Sequence, residues 1–588
     1  MTGSPSLSPL PPAAHPKGRA ARVLLSSVFG PYARDDEYGG RRQNPMELYH
    51  NQVTREEGPF SLRMHHRSFG LMLLQANIDA PCTLLDFPSL ERFREELVRH
   101  PYDVVGIGAI VPNLGKVRAM CALARELRPE ATIVVGGHVA AKPDLEALVD
   151  ADHIVRGEGV RWLRAYLGQD PDAPVRHPVV LAGFASQTMG VAIPSGPRDT
   201  AAVLLPSVGC PMGCNFCSTS AMFGGKGNFV SFYESGDELY EVMCGIEAAL
   251  GVRSFFALDE NFLLHRQRAL RLLELMERDG KSWSLYVFSS ARVLDKYTLE
   301  QLVGLGVSWV WMGLEGEASQ YRKLRGVDTL ELVPRLQAHG IRVLGSTIIG
   351  LEEHTPHNIE RVIARATAHA SDFHQFMLYT PNPGTPLYEE HLAAGTLLSD
   401  AECSPADAHG QLRFKHRHPH IPPGQETELL ARAFRADLAR NGPGIFRQMR
   451  TLLQGWRRYK DHPSPRVRAR VARESTSLAT THAGALWAAQ RWFARRGQPG
   501  VAEQLRALLA DVQQEFGWRA RLSAPILGRA MELALARQER RMAAGWSSEP
   551  ETFCELNPAA VALGHPTGRP AVPWVQCASP ARTDAAWR

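Results

Sequence analysis

No apolar run in this sequence reaches the roughly 18 residues that a membrane-spanning helix requires. The opening segment, residues 1–22, is rich in proline and lacks the apolar core of a secretory signal. Neither sign of charge is in large excess: 66 Lys and Arg stand against 61 Asp and Glu, and the net charge of +5 does not by itself indicate a nucleic-acid partner. These absences predict that the 588-residue chain is cytoplasmic.

Cysteines are few and unevenly distributed. Nine are present, an odd number that cannot pair completely within one chain, and a reducing compartment favours free thiols. Three of them, Cys210, Cys214 and Cys217, share one short segment, which favours a soft metal centre. A structural zinc site needs a fourth protein ligand, and none is evident nearby. A cubane iron–sulfur cluster held by three thiolates instead leaves one iron open to a substrate. Zinc and a chance cluster are the alternatives.

The pattern of apolar strands and amphipathic helices divides the chain into two α/β regions and a helical region. Alternating strands and helices over residues 21–170 predict a doubly wound parallel sheet. A second region has six β/α units, fewer than the eight of a complete barrel, and predicts a partial (β/α)6 barrel. The predicted divisions are a disordered tail at 1–20, the doubly wound domain at 21–170, a linker at 171–198, the barrel at 199–424, a helical C-terminal domain at 425–545 and a loosely ordered tail at 546–588.

Further motifs follow the cysteines at the ends of the predicted barrel strands. They are Asp259-Glu260-Asn261, Arg292, Gly313-Leu314-Glu315, Gly350-Leu351-Glu352 and the segment TPNPGTPLY at 380–388. The spacing Cys-x3-Cys-x2-Cys, with Phe216 before the last cysteine, and these later motifs together resemble the radical S-adenosylmethionine (SAM) superfamily in order and spacing.

The resemblance implies that the three cysteines bind a [4Fe–4S] cluster whose open iron chelates SAM through its amino and carboxylate groups. One electron, from a donor such as flavodoxin or ferredoxin, cleaves a carbon–sulfur bond of SAM. The resulting 5′-deoxyadenosyl radical takes a hydrogen atom from the substrate. Carboxylates suit the ammonium or hydroxyl groups of SAM, and arginines suit its carboxylate. The cofactor-binding candidates in the barrel are Phe216, Asp259, Glu260, Asn261, Arg292, Glu315 and Arg325, with structural ion pairs as the alternative for the charged ones.

Glycines stand at the ends of the predicted strands in the doubly wound domain. Glycine lets the backbone approach a nucleotide tail closely. A domain of this type directly before such a barrel resembles the cobalamin-binding domain of cobalamin-dependent radical SAM enzymes. The chain lacks the Asp-x-His-x-x-Gly motif with which some members ligate cobalt, and a cofactor-free gating domain is the alternative. The candidates that the resemblance implies are Gly106, Gly108, Gly136, Gly137, His138, Gly157 and Glu158.

Residues 29–66 form a long polar insertion after the first predicted strand. Segments of this length without regular structure are commonly functional. An insertion at the carboxyl end of a strand would lie near the upper face of a corrin. The candidates for contact with cofactor or substrate are Tyr49, His50, His65, His66 and the adjacent Arg67, with a solvated loop as the alternative.

The segment from Arg447 to Arg470 is strongly basic. It holds eight Arg or Lys residues against one acid, Asp461, with Trp456 and Tyr459 interleaved. This composition is typical of peripheral contact with an anionic membrane, here at the inner face, or with a phosphate-bearing substrate. A nucleic-acid role and a solvated helix face are the alternatives. The run from Lys415 to His420 contains three histidines and is a weaker metal candidate.

The resemblance predicts a cobalamin-dependent radical SAM enzyme that methylates an unactivated carbon of a lipid, cofactor or natural product. In that chemistry methylcobalamin delivers the methyl group to a carbon radical. The first alternative is a non-methylating radical SAM enzyme that closes rings, rearranges or couples carbons. The methylthiotransferase branch fits less well, because it brings three further cysteine ligands and only Cys82 and Cys121 precede the barrel. A non-catalytic cofactor-binding scaffold or sensor is the alternative from another class.

Overall fold

The computed structural model describes residues 9–32, 36–39, 47–315, 324, 326–564 and 568–577. The first domain consists of β1 (Val23–Ser27), α1 (Leu48–Gln52), β2 (Arg63–His65), α2 (Phe69–Ala76), β3 (Cys82–Asp86), α3 (Leu90–Arg99), β4 (Val104–Gly108), α4 (Leu114–Leu127), β5 (Thr132–Gly136), α5 (Leu145–Leu148), β6 (His153–Ile154) and α6 (Gly159–Tyr166). Five parallel strands lie in the order β3-β1-β4-β5-β6. This order reverses direction between β1 and β4, where doubly wound sheets bind their ligands.

Residues 171–198, predicted as a linker, contain three short strands. They are β7 (His177–Pro178), β8 (Phe184–Thr188) and β9 (Val191–Ala192). Strand β8 pairs antiparallel with β2 of the insertion and with β9. The segment therefore packs the insertion against the rest of the chain as well as connecting the two α/β regions.

The second region is a six-stranded parallel sheet in the order β10-β13-β14-β15-β16-β17. Its elements are β10 (Ala202–Leu204), β11 (Ser207–Val208), α7 (Ser218–Met222), β12 (Val230–Ser231), α8 (Gly236–Leu250), β13 (Ser254–Ala257), α9 (Arg266–Arg278), β14 (Ser284–Phe288), α10 (Ala291–Leu294), α11 (Leu299–Leu305), β15 (Val307–Gly313), α12 (Thr329–Gln337), β16 (Arg342–Ile349), α13 (Ile359–Ala368), β17 (Phe373–Leu378) and α14 (Pro386–Ala393). Within the described residues the sheet does not close into a barrel, because β10 and β17 are its edges. The segment around Gly410 runs beside β17 and accepts a hydrogen bond from the backbone N–H of Leu378 at 2.8 Å.

A helical region follows the sheet. It consists of α15 (Glu426–Asn441), α16 (Gly444–Tyr459), α17 (Pro465–Glu474), α18 (Ala483–Arg495), α19 (Pro499–Phe516) and α20 (Trp518–Ala543). Residues from α16 and from α18 to α20 form a buried apolar cluster of their own, which also contains Phe60 of the insertion. Among the described residues, no helix combines the length and apolar composition needed to cross a bilayer. The predicted fold class, a doubly wound domain, a partial (β/α)6 barrel and a helical C-terminal region, is confirmed.

The last segment returns to the first domain. It forms β18 (Phe553–Leu556), α21 (Pro558–Ala562), β19 (Arg569–Pro570) and β20 (Trp574–Val575). Strand β18 pairs antiparallel with β3 and parallel with β19, which extends the first sheet to seven strands, and β20 pairs with β7. The prediction of a loosely ordered tail from residue 546 is therefore wrong for the described residues, since an edge strand of a distant sheet supplies the missing hydrogen bonds.

Candidate functional site

The cysteine loop, residues 209–217, connects β11 to α7. Gly209 adopts φ +88°, and a Cβ there would lie 2.6 Å from Cβ of Phe223, so this turn requires glycine. Cys217 is the N-cap residue of α7, and its Sγ accepts a hydrogen bond from the backbone N–H of Ser220 at 3.5 Å. The Ser220 hydroxyl donates to the carbonyl oxygen of Cys210 at 2.7 Å. The loop is therefore folded back against one short helix.

The three cysteines of the loop line one cavity. Burial raises the pKa of Cys210 to about 11, so a bound metal centre would be needed to stabilise its thiolate. Within the described part of the chain, no three His, Cys, Asp or Glu side chains converge as a single metal ion would require. Zinc therefore finds no tetrahedral ligand set. An iron–sulfur cluster is a larger body that cysteine thiolates hold at separate corners, and it suits this loop.

The barrel cavity, with a volume of about 360 Å³, extends from the cysteine loop to residues at the carboxyl ends of β13 to β17. Four predicted cofactor residues line it: Phe216, Glu260, Asn261 and Glu315. Oε2 of Glu260 is buried and has no hydrogen-bond partner among the described residues. Burial raises the pKa of Glu260 to about 8. A cationic ligand group such as the ammonium of SAM would lower this pKa again and pair with the ionised carboxylate, so the cavity suits SAM.

Three predicted cofactor residues do not line the barrel cavity. Asp259 is buried, and its Oδ2 accepts hydrogen bonds from Arg268 and from the Ser207 hydroxyl, each at 2.6 Å. Arg292 is exposed and lies on the outer side of the cysteine loop. Arg325 lies outside the described residues. The predictions of SAM contacts for Asp259 and Arg292 do not match the structure, since a position at a strand end does not fix the direction of the side chain.

The barrel cavity also contains residues that the sequence patterns did not reveal. Phe288 and Trp311, on neighbouring strands, stack with ring centroids 4.9 Å apart and face the cavity. His409, beside Gly410, is 9% exposed, and neither of its ring nitrogens has a hydrogen-bond partner among the described residues. Burial lowers its pKa to about 4, so the imidazole is neutral near pH 7. Alternation along the strands could have revealed the aromatic pair, but no local signal marks His409.

The N-terminal cavity, with a volume of about 370 Å³, opens at the carboxyl ends of β1, β4, β5 and β6. Gly137 adopts φ +84°, and a Cβ there would lie 2.5 Å from the carbonyl oxygen of Ala109. A Cβ at Gly136 would reach only the carbonyl oxygen of Val155, at 3.9 Å. This largely apolar cleft at the switch point of the sheet suits a cofactor with a nucleotide tail. All seven residues predicted for cobalamin line it: Gly106, Gly108, Gly136, Gly137, His138, Gly157 and Glu158.

Two of these seven residues also have structural contacts. Nε2 of His138 lies 3.5 Å from Oγ1 of Thr219 on α7, across the boundary between the two α/β regions. Glu158 is the N-cap residue of α6, and its carboxylate accepts hydrogen bonds from the first turn of that helix. His138 therefore lies where the N-terminal cavity meets the helix that follows the cysteine loop.

Residues 208–223 separate the two cavities. Val208, Met222 and Phe223 line the N-terminal cavity, whereas Cys210 and Cys217 line the barrel cavity. Ligands in the two cavities would therefore be close neighbours on either side of one loop and one helical turn.

The candidates from the insertion line neither cavity. The ring of Tyr49 packs near those of Phe373 and His66, and burial raises the pKa of Tyr49 to about 12. The others have hydrogen-bond or ion-pair partners within the chain, so these residues act in packing. The partners are Ser61 for His50, Ser548 for His65, the carbonyl oxygen of Ala182 for His66, and Asp86 with Glu555 for Arg67.

The basic segment from Arg447 to Arg470 does not form a free cationic face. Most of its cations have partners within the chain, which attach α16 and α17 to the barrel and to α19. The partners are Asp437 for Arg447, Asp511 for Arg457, Glu515 for Lys460, and the carbonyl oxygens of Gly304 for Arg466 and of Val303 for Arg470. The structure therefore gives no support to the predicted contact with an anionic membrane. The histidine run likewise joins no metal-binding group among the described residues.

Two family models match the chain in the order of its domains. The B12 binding domain model matches residues 66–167, and the radical SAM superfamily model matches residues 204–366. The chain therefore contains a B12 binding domain followed by a radical SAM domain. This radical SAM protein carries its B12-binding domain ahead of the partial barrel. The cofactors that the two families imply are a [4Fe–4S] cluster, SAM and cobalamin, as the resemblance predicted.

The radical SAM protein has relatives of several reaction classes. It is 25% identical over 335 residues to the uncharacterized methyltransferase PH0819 of Pyrococcus horikoshii, covering 50% of this chain and 71% of that one. It is 28% identical over 197 residues to the bacteriochlorophyllide d C-12(1)-methyltransferase of Chlorobaculum tepidum, covering 32% and 42%. It is 26% identical over 352 residues to the anaerobic magnesium-protoporphyrin IX monomethyl ester cyclase of Rubrivivax gelatinosus, covering 51% and 60%. The match thus spans less than two thirds of the last two relatives.

Among the solved structures to which the chain is similar is a cofactor-bound methyltransferase. It is the radical SAM methyltransferase TsrM from Kitasatospora setae with cobalamin and a [4Fe–4S] cluster bound. It is 15% identical, with a TM-score of 0.47 over 78% of this chain and 99% of that one.

Proposed function

We propose that this radical SAM protein methylates an unactivated carbon of a small molecule, using cobalamin together with SAM. The observation that carries the proposal is the single wall, residues 208–223, between the two cavities. A hydrogen-abstracting group and a methyl donor must reach the same substrate carbon, so their cofactors have to lie close together. Two cofactor cavities on either side of one loop meet that requirement.

Cys210, Cys214 and Cys217 are the proposed cluster ligands, and Glu260 is the proposed partner of the SAM ammonium. When bound, the cluster and SAM supply hydrogen-atom abstraction, and the corrin supplies a transferable methyl group. Glu260 would orient SAM through a charge-assisted hydrogen bond. Phe216 and Glu315 line the same cavity and would exclude water from the reacting groups.

The N-terminal cavity is the proposed corrin site. Gly136 and Gly137 leave the backbone open to the cofactor, and the apolar lining suits the face of a macrocycle. His138 is proposed to close the edge of the site towards Thr219 rather than to ligate cobalt.

The substrate is proposed to bind between Phe288, Trp311 and His409. Stacked aromatic rings pack well on planar apolar groups, and a neutral imidazole donates one hydrogen bond and accepts another. This lining fits a planar, largely apolar molecule with one polar edge. Two relatives are named for bacteriochlorophyllide d and for magnesium-protoporphyrin IX monomethyl ester, and both are planar tetrapyrroles.

The proposed chemistry also requires a reducing environment. A one-electron donor such as flavodoxin or ferredoxin would reduce the cluster, and we place the protein in the cytoplasm, where reducing conditions keep cysteines out of disulfides.

Ring formation without methyl transfer is the second candidate function, and the similarity to a cyclase favours it. Anaerobic turnover of the cofactor-loaded, reduced protein with a panel of planar apolar compounds separates the two. Methylation predicts S-adenosylhomocysteine, 5′-deoxyadenosine and a product that is heavier by one methyl group. 5′-Deoxyadenosine with a cyclised product and no S-adenosylhomocysteine would support ring formation instead. The absence of both SAM products would contradict either function.

A further inference from the structure

The outer groove is a small cavity beside the cysteine loop, next to the barrel cavity. It has a volume of about 220 Å³ and is lined by Pro211, Met212, Lys226, Leu264, Arg292, Val293 and Lys296. Neither cofactor cavity includes Arg292, Lys226 or Lys296. The outer groove is therefore separate from the sites proposed for SAM and cobalamin.

Only a thin wall separates the outer groove from the cysteines. Met212 lines both the groove and the barrel cavity, so one side chain borders both spaces. Lys226 packs directly against Gly213, and the backbone N–H of Gly227 donates to the carbonyl oxygen of Pro211 at 2.9 Å. The groove is thus built onto the loop that would hold the cluster, and a group in it would lie close to the cluster edge.

The rim of the outer groove carries an excess of positive charge. Lys226, Arg292 and Lys296 are exposed. Within the described chain, whose other cations form many ion pairs, none of these three pairs with a carboxylate within 4.0 Å. The nearest acid in sequence, Asp295, is exposed and pairs with none of them. Three cations that converge on one groove attract an anionic surface and raise the rate of encounter with it.

The floor of the outer groove is apolar. Leu264, Val293 and Met212 lie between the cations. A free anion gains little binding energy from an apolar lining. A protein surface with acidic groups around an apolar centre instead matches both the apolar floor and the cationic rim of the groove. Small, transient interfaces of this type are characteristic of electron-transfer partners.

We propose that the outer groove is the docking surface for a small acidic one-electron carrier protein of the flavodoxin or ferredoxin class. The carrier loses one electron and the cluster gains one across the Pro211–Met212 wall, with no bond made or broken and no proton required. This inference rests on the proposed function, because it needs a cluster on the cysteine loop. It also assigns a role to Arg292, whose predicted contact with SAM the structure does not match.

The test compares two reductants on the cluster-loaded protein, with cluster reduction followed by stopped-flow absorbance. Reduced flavodoxin is the acidic protein donor, and reduced methyl viologen is a small cation that the groove would not attract. The double variant Lys226→Glu/Lys296→Glu should slow reduction by flavodoxin about tenfold or more, because both steering charges are reversed. Its reduction by methyl viologen should not be slowed, because the reversed charges no longer repel this cation. In the wild type, added salt should slow cluster reduction by flavodoxin far more than cluster reduction by methyl viologen.

Arg519→Glu is the matched control, since it reverses one exposed charge on α20, outside the groove. It should leave both rates unchanged. Equal flavodoxin rates for the wild type and the double variant would overturn the docking proposal alone. If methyl viologen produces no absorbance change of a reduced cluster in the wild type, the docking proposal and the proposed function both fail.

Discussion

At the scale of single residues, the adjacent carboxylates Asp259 and Glu260 have different roles because their surroundings differ. Asp259 forms a buried ion pair with Arg268 at 2.6 Å. Oε2 of Glu260 faces the barrel cavity without a hydrogen-bond partner among the described residues. A buried carboxylate oxygen without a partner costs stability, and such costs persist where a ligand offsets them. Glu260 therefore belongs to the ligand site, and Asp259 belongs to the scaffold beneath it.

Replacement of Glu260 should weaken SAM binding. Glu260→Gln keeps the shape of the side chain and removes the charge that would meet the SAM ammonium. Hydrogen bonds to charged groups contribute roughly 1.5–3 kcal/mol, so we expect affinity to fall about tenfold or more. Anaerobic calorimetric titration of the cluster-loaded protein measures this. Glu353→Gln, at an exposed carboxylate outside the cavity, is the control, and equal affinity for both variants would rule out the contact.

Removal of one loop cysteine should abolish the cluster. Cys214→Ala leaves two of three thiolates, and we expect iron and sulfide to fall to background after anaerobic reconstitution. Cys244→Ala is the control, because Cys244 lies on α8 away from the cavity, and it should keep the cluster. Retention of iron–sulfur absorption by Cys214→Ala would show that the cysteine loop is not the cluster site.

A side chain at Gly136 should exclude the corrin without disturbing the fold. A Cβ there has no neighbour closer than 3.9 Å, and the residue lines the N-terminal cavity. We expect Gly136→Val to reduce bound corrin several-fold while thermal stability changes little, as measured by corrin absorbance and thermal unfolding. Gly500→Val, also at an uncrowded glycine, should bind corrin normally. Full corrin content in Gly136→Val would place the cofactor elsewhere.

Sequence patterns predicted some of these site residues and missed others. The cysteines and the strand-end glycines were predictable, because their local backbone is what brings them to the cavities. Arg292 was not, because it lies on α10 and lines the outer groove instead of the barrel cavity. His409 was also missed, since it reaches the cavity only because its segment pairs with the edge strand β17.

At the scale of elements, β18 completes the first domain from the far end of the chain. Arg67 forms ion pairs with both Asp86 at the end of β3 and Glu555 on β18, at 2.9 and 3.0 Å. The sequence around β18 is rich in proline and lacks periodicity, so it predicts a loose tail. Pairing between segments that are more than 450 residues apart, such as Cys82 and Asn557, cannot be seen in local patterns.

Asn557 should be the critical residue of this C-terminal attachment. Its Oδ1 accepts from the backbone N–H groups of Cys82 and Ala560, and its Nδ2 donates to the carbonyl oxygen of Ala80, at 2.9, 3.0 and 2.9 Å. At roughly 0.5–1.5 kcal/mol for each hydrogen bond, Asn557→Ala should destabilise the first domain by about 2–4 kcal/mol. Denaturant unfolding measures this, with the exposed Glu551→Ala as control. A change below about 0.5 kcal/mol, typical of surface substitutions, would contradict the attachment.

The basic helices α16 and α17 show why composition misled the prediction of a membrane surface. Charge counts do not distinguish an exposed cation from one that caps the end of another element. Arg470 is buried and donates to the carbonyl oxygen of Val303 at the end of α11. Arg466 likewise donates to the carbonyl oxygen of Gly304. Cations near helix C-termini stabilise the unpaired carbonyl groups there, so these arginines attach the helical region to the barrel.

At the scale of the whole molecule, the insertion joins all three regions. Gln52 Oε1 accepts from Gln375 on β17 at 2.7 Å, and Arg55 donates to the carbonyl oxygen of Gln411 at 3.2 Å. Phe60 stacks on Phe493 of α18 with ring centroids 5.0 Å apart. The insertion thus braces the open edge of the barrel, beside the segment that carries His409. Its prediction as a functional loop located an important element, but its residues act through packing rather than in either cavity.

The order of the two α/β regions was predictable from the sequence, but the way they face each other was not. Strand periodicity and the motifs at strand ends depend on local sequence, so both regions were identified without a structure. The contact between the N-terminal cavity and the cysteine loop depends on tertiary packing, including His138 beside Thr219. In the proposed function, that contact would bring the methyl donor next to the radical source.

The central claim is that one chain holds a cluster and a corrin on either side of residues 208–223. The most direct measurement is joint quantification of iron, sulfide and corrin in protein purified anaerobically after production with cobalamin. The account predicts one [4Fe–4S] cluster and about one corrin per chain, because each cavity holds a single cofactor. A cluster without corrin would contradict the claim and leave ring formation as the better function, and protein without iron would contradict the cluster site itself.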